Sequence, residues 1–305
     1  MKKILLIALS VQLLNHVIKA QSPIRYQDSD GNTHLVGPIT VNNLQSDTTY
    51  AKWFNAGYAD FELTKTNYKW VKNLKDDKVQ IFLGTWCGDS QEWVPRFIKL
   101  WDALGLKRNQ LEIIALYGND EQYKQGPNAE EKGLNIHRVP TFIFKENAQE
   151  YARIVESPST DLFTDVAQTA LGYPSAPKYK GATYFLNLFD SMSVKEMYDS
   201  INTIYRNAYY KIGNFGELQT LGRVLSTSDR KQEALYVLNL NTYYHAGNWR
   251  THKRLADLQM ELKDYERAKA SYQRVLELDP DNKAATDNLK ELETLMDDTE
   301  SGDDQ

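Results

Sequence analysis

Cys87 is the only cysteine among the 305 residues, and its setting suits thiol chemistry. It lies in Gly84-Thr85-Trp86-Cys87-Gly88-Asp89-Ser90, directly after the apolar run Val79-Gln80-Ile81-Phe82-Leu83. Beyond it, Trp93, Phe97, Leu100, Trp101 and Leu104 recur at helical spacing, so the local pattern is strand, tight turn, helix. The thiol falls where the helix begins. Unpaired N–H groups and a partial positive charge at that end favour a thiolate, the nucleophile of disulfide exchange. Asp89 opposes ionisation, whereas Ser90 can donate a hydrogen bond to the thiolate. The helix end contributes only about 0.3–1 kcal/mol to a nearby charge, so the sequence predicts a moderately reactive cysteine. Release of a mixed disulfide needs a second thiol, which Ser90 cannot supply. Isomerisation, monothiol exchange and covalent capture are the reactions left.

Three motifs in order carry a family resemblance. They are Trp86-Cys87-Gly88-Asp89-Ser90, Pro95 within the following helix, and Val139-Pro140-Thr141 before Phe142-Ile143-Phe144. Together they resemble the thioredoxin family, in its extracytoplasmic thiol-disulfide branch, over residues 78–172. The resemblance implies an α/β thioredoxin-like fold with the order βαβα-ββα. It implies catalytic roles for Cys87 and Ser90, the latter standing where the family has its second cysteine. It implies a substrate-binding surface formed by Trp86, Gly88, Asp89, Val139 and Pro140, with Pro140 in the cis form. Ile81 departs from the pattern, since thioredoxins proper carry a buried acid there.

Other elements must hold these motifs in place. Leu111-Glu112-Ile113-Ile114-Ala115-Leu116 is nearly continuous in apolar character and reads as a strand covered on both faces,. The polar segment 118–135 is expected to hold one short helix. A hairpin follows at 141–155, with its turn near Glu146-Asn147, and Pro158-Ser159-Thr160-Asp161 opens a helix ending at Gly172,. Residues 21–77 read as an extension packing on this domain. Asp30-Gly31-Asn32 is a turn signal, and aromatic helical runs follow it.

Residues 173–180, with Pro174 and Pro177, read as a linker to a helical region over 181–296. Trp249, Leu255-Ala256, Tyr265, Ala268, Tyr272 and Pro280 resemble the tetratricopeptide repeat,. One repeat length earlier, about 34 residues, Leu221-Gly222, Ala234 and Leu238 fall at equivalent places. Residues 181–214 are expected to form a degenerate third hairpin. The acidic end, 297–305, reads as a disordered tail. The two halves are expected to separate near Pro174–Pro177.

Residues 1–20 carry Lys2 and Lys3, an apolar core and Ala20 before Gln21, the pattern of a cleavable signal peptide,. Export, to the periplasm or beyond the cell, is the expectation, with no membrane span after cleavage. The net charge of −5 becomes −8 once Lys2, Lys3 and Lys19 are removed, and this gives no electrostatic footprint for nucleic acid. The five histidines are scattered, so neither a metal site nor a cofactor is expected. Two readings result. One is an exported thioredoxin-like oxidoreductase or isomerase whose repeats bind partner proteins, held in part as mixed disulfides on Cys87. The other is a non-catalytic adaptor that uses both domains for binding.

Overall fold

A computed structural model describes residues 23–63 and 68–302, with side chains to residue 297. The predicted signal peptide and residues 303–305 lie outside the described residues. Alternation builds the central sheet. In β3 (Lys78–Leu83), Val79, Ile81 and Leu83 face one side and Phe82 the other, as a two-residue period requires,. All four are buried, so both faces are covered. β3 pairs parallel with β4 (Leu111–Ala115) and antiparallel with β5 (Thr141–Glu146), which continues into β6 (Gln149–Val155).

The segment before residue 78 does more than pack on this sheet. β1 (Ile24–Gln27) and β2 (Thr33–Ile39) form a hairpin, and β2 pairs antiparallel with β4, with Gly37 opposite Ala115 and Ile39 opposite Ile113. The sheet order is therefore β1-β2-β4-β3-β5-β6. The edge of β4 would otherwise leave its backbone groups unpaired. α1 (Val41–Gln45), α2 (Ala51–Asp60), α3 (Gly88–Ala103) and α4 (Leu162–Ala170) cover one face. There Phe54, Phe97, Trp101, Phe142 and Phe144 make the core, with the Phe97 and Phe142 rings 4.4 Å apart.

The opposite face is covered by an irregular segment, 116–140, and not by the short helix expected there. Positive φ at Lys124 (61°), Ala129 (57°), Gly133 (77°) and Asn135 (54°) interrupts any helix,. Glu130 and Glu131 side chains accept from Asn128 N–H and Gly126 N–H, at 3.0 and 2.8 Å, and fold the chain into turns,. The observed order from β3 to α4 is thus βα-β-ββα, with one helix fewer than expected.

Beyond residue 172 every element is helical. α5 (Lys180–Phe189), α6 (Val194–Asp199) and α7 (Ile201–Tyr209) replace the expected single hairpin over 181–214. The reason is a capping box at Ser193 and Glu196, which starts a new helix after a turn,. Two hairpins follow: α8 (Phe215–Ser226) with α9 (Lys231–Tyr244), and α10 (Trp249–Glu261) with α11 (Tyr265–Leu278). Asn214 and Asn248 cap α8 and α10 through their side chains,. α12 (Lys283–Gly302) closes the stack. It runs past Met296 into the stretch expected to be disordered. Residues 297–301 contain neither proline nor glycine, so acidic composition alone supplies no stop signal.

The small residues at hairpin contacts are structural. A Cβ on Gly222 would lie 2.5 Å from Leu238 Cγ, a fully buried side chain. Gly222→Val should therefore destabilise the fold. Overpacking costs about 1–3 kcal/mol, against a helix-propensity gain below about 0.5 kcal/mol. Urea unfolding should show a lower midpoint; an unchanged midpoint would place α9 elsewhere.

The halves are not merely tethered. Ser175 in the linker donates to Gln168 Oε1 at 2.6 Å, and Ser159 donates to Ala176 O. Across the junction, Gln125 donates to Thr227 O, and Arg138 donates to Gly216 O at 2.9 Å. These bonds oppose a clean separation at Pro174–Pro177.

Candidate functional site

The β3–α3 turn positions the thiol. Cys87 N–H donates to Gly84 O at 2.9 Å, which closes the turn, and Cys87 is the residue that caps α3. Cys87 is half-buried, and its Sγ donates to Val139 O at 3.3 Å. Val139–Pro140 is a cis peptide. Cys87, Val139 and Pro140, 52 residues apart between the sulfur and its acceptor, are therefore brought together. Gly88 and Asp89 are exposed in the first turn of α3.

Ser90 is placed differently from its neighbours. It is fully buried, and its Oγ accepts from Gly84 N–H at 3.2 Å. Its hydroxyl braces the turn from beneath. Trp86 is held by backbone: its Nε1 donates to Leu116 O at 2.9 Å. Its indole lies against Gly84 and Gly118, where an added Cβ would come within 2.5 and 2.7 Å of the ring. No side chain larger than hydrogen fits at either position with the indole in place.

Residues without a recognisable signal in the sequence surround this turn. Tyr123 packs on Trp86, with ring centroids 5.7 Å apart, and Arg223 of α8 lies 3.7 Å above the Tyr123 ring. Arg223 also pairs with Asp120. Lys124 is buried, donates from Nζ to His137 O at 2.8 Å, and lies within electrostatic reach of Cys87. Burial pushes its ammonium down to about 7, with Arg138 adding to the effect and Cys87 and Glu156 opposing it,. A perturbed amine within electrostatic reach of a thiol marks a candidate functional site,. Arg138 pairs with Glu156 at 3.1 Å, and burial pushes the Glu156 carboxyl up against that pairing.

A second network braces the turn from β2. Thr85 Oγ1 accepts from Leu35 N–H at 3.1 Å and lies 3.3 Å from His34 Nδ1. The Asp28 carboxylate can only accept, so His34 Nε2–H donates to it at 3.0 Å,. Hydrogen bonds from Asn32 and His34 pull the Asp28 carboxyl down to about 2. His137, three residues before Pro140, is buried and faces Asn135 O at 3.4 Å. Burial drives it down to about 3, so it is neutral at physiological pH. Among the described residues no three His, Cys, Asp or Glu side chains converge as they would around a metal ion, and no helix is long and apolar enough to cross a membrane.

Fold and site together define a class: a mixed α/β sheet with a single thiol at a helix start, joined to stacked helical hairpins. Comparison with known families adds one finding. The tetratricopeptide repeat model matches residues 249–282, the α10–α11 hairpin with the turn after it. No curated protein matches the chain. The helical half therefore contains a tetratricopeptide repeat, a unit that generally mediates binding to partner proteins.

Proposed function

We propose that this is an exported thioredoxin-like protein that performs thiol-disulfide exchange through Cys87, as an isomerase or monothiol exchanger, while its helical repeats bind the protein partners. The carrying observation is the pairing of the Cys87 sulfur with the Val139 carbonyl beside cis Pro140. A mixed sheet with the thiol between β3 and the start of α3 is compatible with the family resemblance and supports this reading. Cys87 attacks one sulfur of a substrate disulfide, and a Cys87–substrate disulfide forms as the substrate's other sulfur leaves as a thiolate. For isomerisation, that thiolate attacks a second disulfide of the substrate, and the thiolate this releases attacks the substrate sulfur of the mixed disulfide, forming a new substrate disulfide and returning Cys87 as its thiolate; in monothiol exchange an external thiol makes that last attack and stays on the substrate as a mixed disulfide. No net electrons pass in the isomerisation. Trp86, Gly88, Asp89 and the Val139 edge present the surface on which the partner chain lies, and Ser90 holds the turn that aims the sulfur.

A second reading, a non-catalytic adaptor, is favoured by one observation: the Ser90 hydroxyl is committed to Gly84 N–H and lies buried. The two readings part on a non-reducing gel of the protein from its extracytoplasmic fraction, quenched in acid and alkylated. Slower bands that carry Cys87–partner disulfides by mass spectrometry support exchange. A free, unmodified Cys87 throughout supports the adaptor.

A further inference from the structure

Arg138 is the point where the helical half meets the thiol. Its side chain is only 17% exposed. The guanidinium has three partners from three separate segments: Glu156 after β6 at 3.1 Å, the Tyr179 ring of the linker at 4.3 Å, and Gly216 O of α8 at 2.9 Å. Its own carbonyl accepts from Thr141 Oγ1 at 2.7 Å, so its backbone is fixed as well. The next residue is Val139, whose carbonyl accepts the Cys87 hydrogen bond. On the other side, buried Asn241 of α9 donates to Phe215 O at 3.0 Å, one residue before Gly216. A continuous path thus runs from the repeat hairpin through Asn241, Gly216 and Arg138 to Val139 and Cys87.

We propose that Arg138 is a positioning residue that makes the helical half part of the Cys87 site: by anchoring on Gly216 it fixes the Val139 carbonyl opposite the thiol. The proposal rests on the reading of Cys87 and Val139 as the reactive thiol and its binding edge. A planar fork is needed for three such partners at once; a lysine keeps the charge and loses the geometry. Coupling of this kind is reciprocal, so whatever disturbs the thiol must be felt at α8.

The test is hydrogen exchange at backbone amides 216–221 in the full-length protein, compared between the natural chain and Cys87→Ala. Removing the S–H donor should change exchange there by roughly two- to tenfold, the range of one hydrogen bond. In an Arg138→Lys background the same Cys87→Ala change should have no effect, which is the signature of coupling through Arg138. The proposal is overturned if Cys87→Ala leaves α8 exchange unchanged in the natural background. It is equally overturned if the change persists undiminished with Arg138→Lys, because charge alone would then suffice. The readout requires no thiol reactivity. Absence of mixed disulfides would sink the exchange reading and leave this coupling standing, so the two failures are told apart.

Discussion

Ser90→Cys will raise the rate at which the protein reduces a model disulfide by at least about tenfold, because an attached thiol replaces a bimolecular release step. Cys87 and Ser90 sit on the first turn of α3, with Cys87 as its cap. In the natural chain the Cys87–substrate disulfide waits for an outside thiol. With Ser90→Cys the new thiolate attacks Cys87 Sγ, an internal disulfide forms, and the substrate leaves as a thiol after taking up a proton. The two electrons come from the two protein thiols. The substitution has a cost. Gly84 N–H loses the Ser90 oxygen as its acceptor, and an unsatisfied buried donor costs about 1–3 kcal/mol. Activity should therefore rise while the urea midpoint falls. Cys87→Ser should remove both the activity and any partner adducts, with the fold retained. Adduct yield and disulfide reduction, measured after acid quench and alkylation, decide the matter. Equal yields in the natural chain and Cys87→Ser would leave the adaptor as the account of this protein.

The second large effect concerns stability. Lys124→Met is expected to stabilise the fold at neutral pH and to weaken its dependence on alkaline pH. Lys124 is 3% exposed and its ammonium is pushed from 10.5 down to about 7, mainly by burial. The folded state therefore holds the proton less tightly than the unfolded chain. Above 10.5 both states are neutral and nothing is lost. As pH falls from 10.5 towards 7, the unfolded chain gains a proton that the folded state resists, and stability declines. Below 7 the loss is complete and constant. At about 1.4 kcal/mol per pKa unit, the full loss is about 5 kcal/mol. Methionine gives up the bond to His137 O, at about 1–3 kcal/mol, so a net gain of roughly 2–4 kcal/mol remains. The gain should shrink between pH 7 and 10.5. Urea titrations at several pH values measure it, and a variant less stable than the natural chain at pH 7 would mean that the hydrogen bond outweighs burial of the charge.

Much of the fold follows from local pattern. The two-residue alternation in Val79–Leu83 and the 3.6-residue spacing through Phe97, Leu100 and Trp101 each depend on neighbours in sequence, so strand, turn and helix around Cys87 were legible. The hairpin at 141–155 and the repeat at 249–282 were legible for the same reason. Tertiary structure decided what covers β4 and what surrounds the thiol. The place of β2 beside β4 depends on which edge of the sheet is open. The helix expected in 118–135 gave way to turns built on side-chain carboxylates and left-handed residues. Lys124 lies in a polar segment, and only the packing of that segment against the sheet buries it. Arg138 and Arg223 meet the site through partners on other elements, one of them a backbone carbonyl of α8. Periodicity records which face of an element is apolar. It does not record which distant backbone group a guanidinium or an ammonium finds when two such faces close on each other.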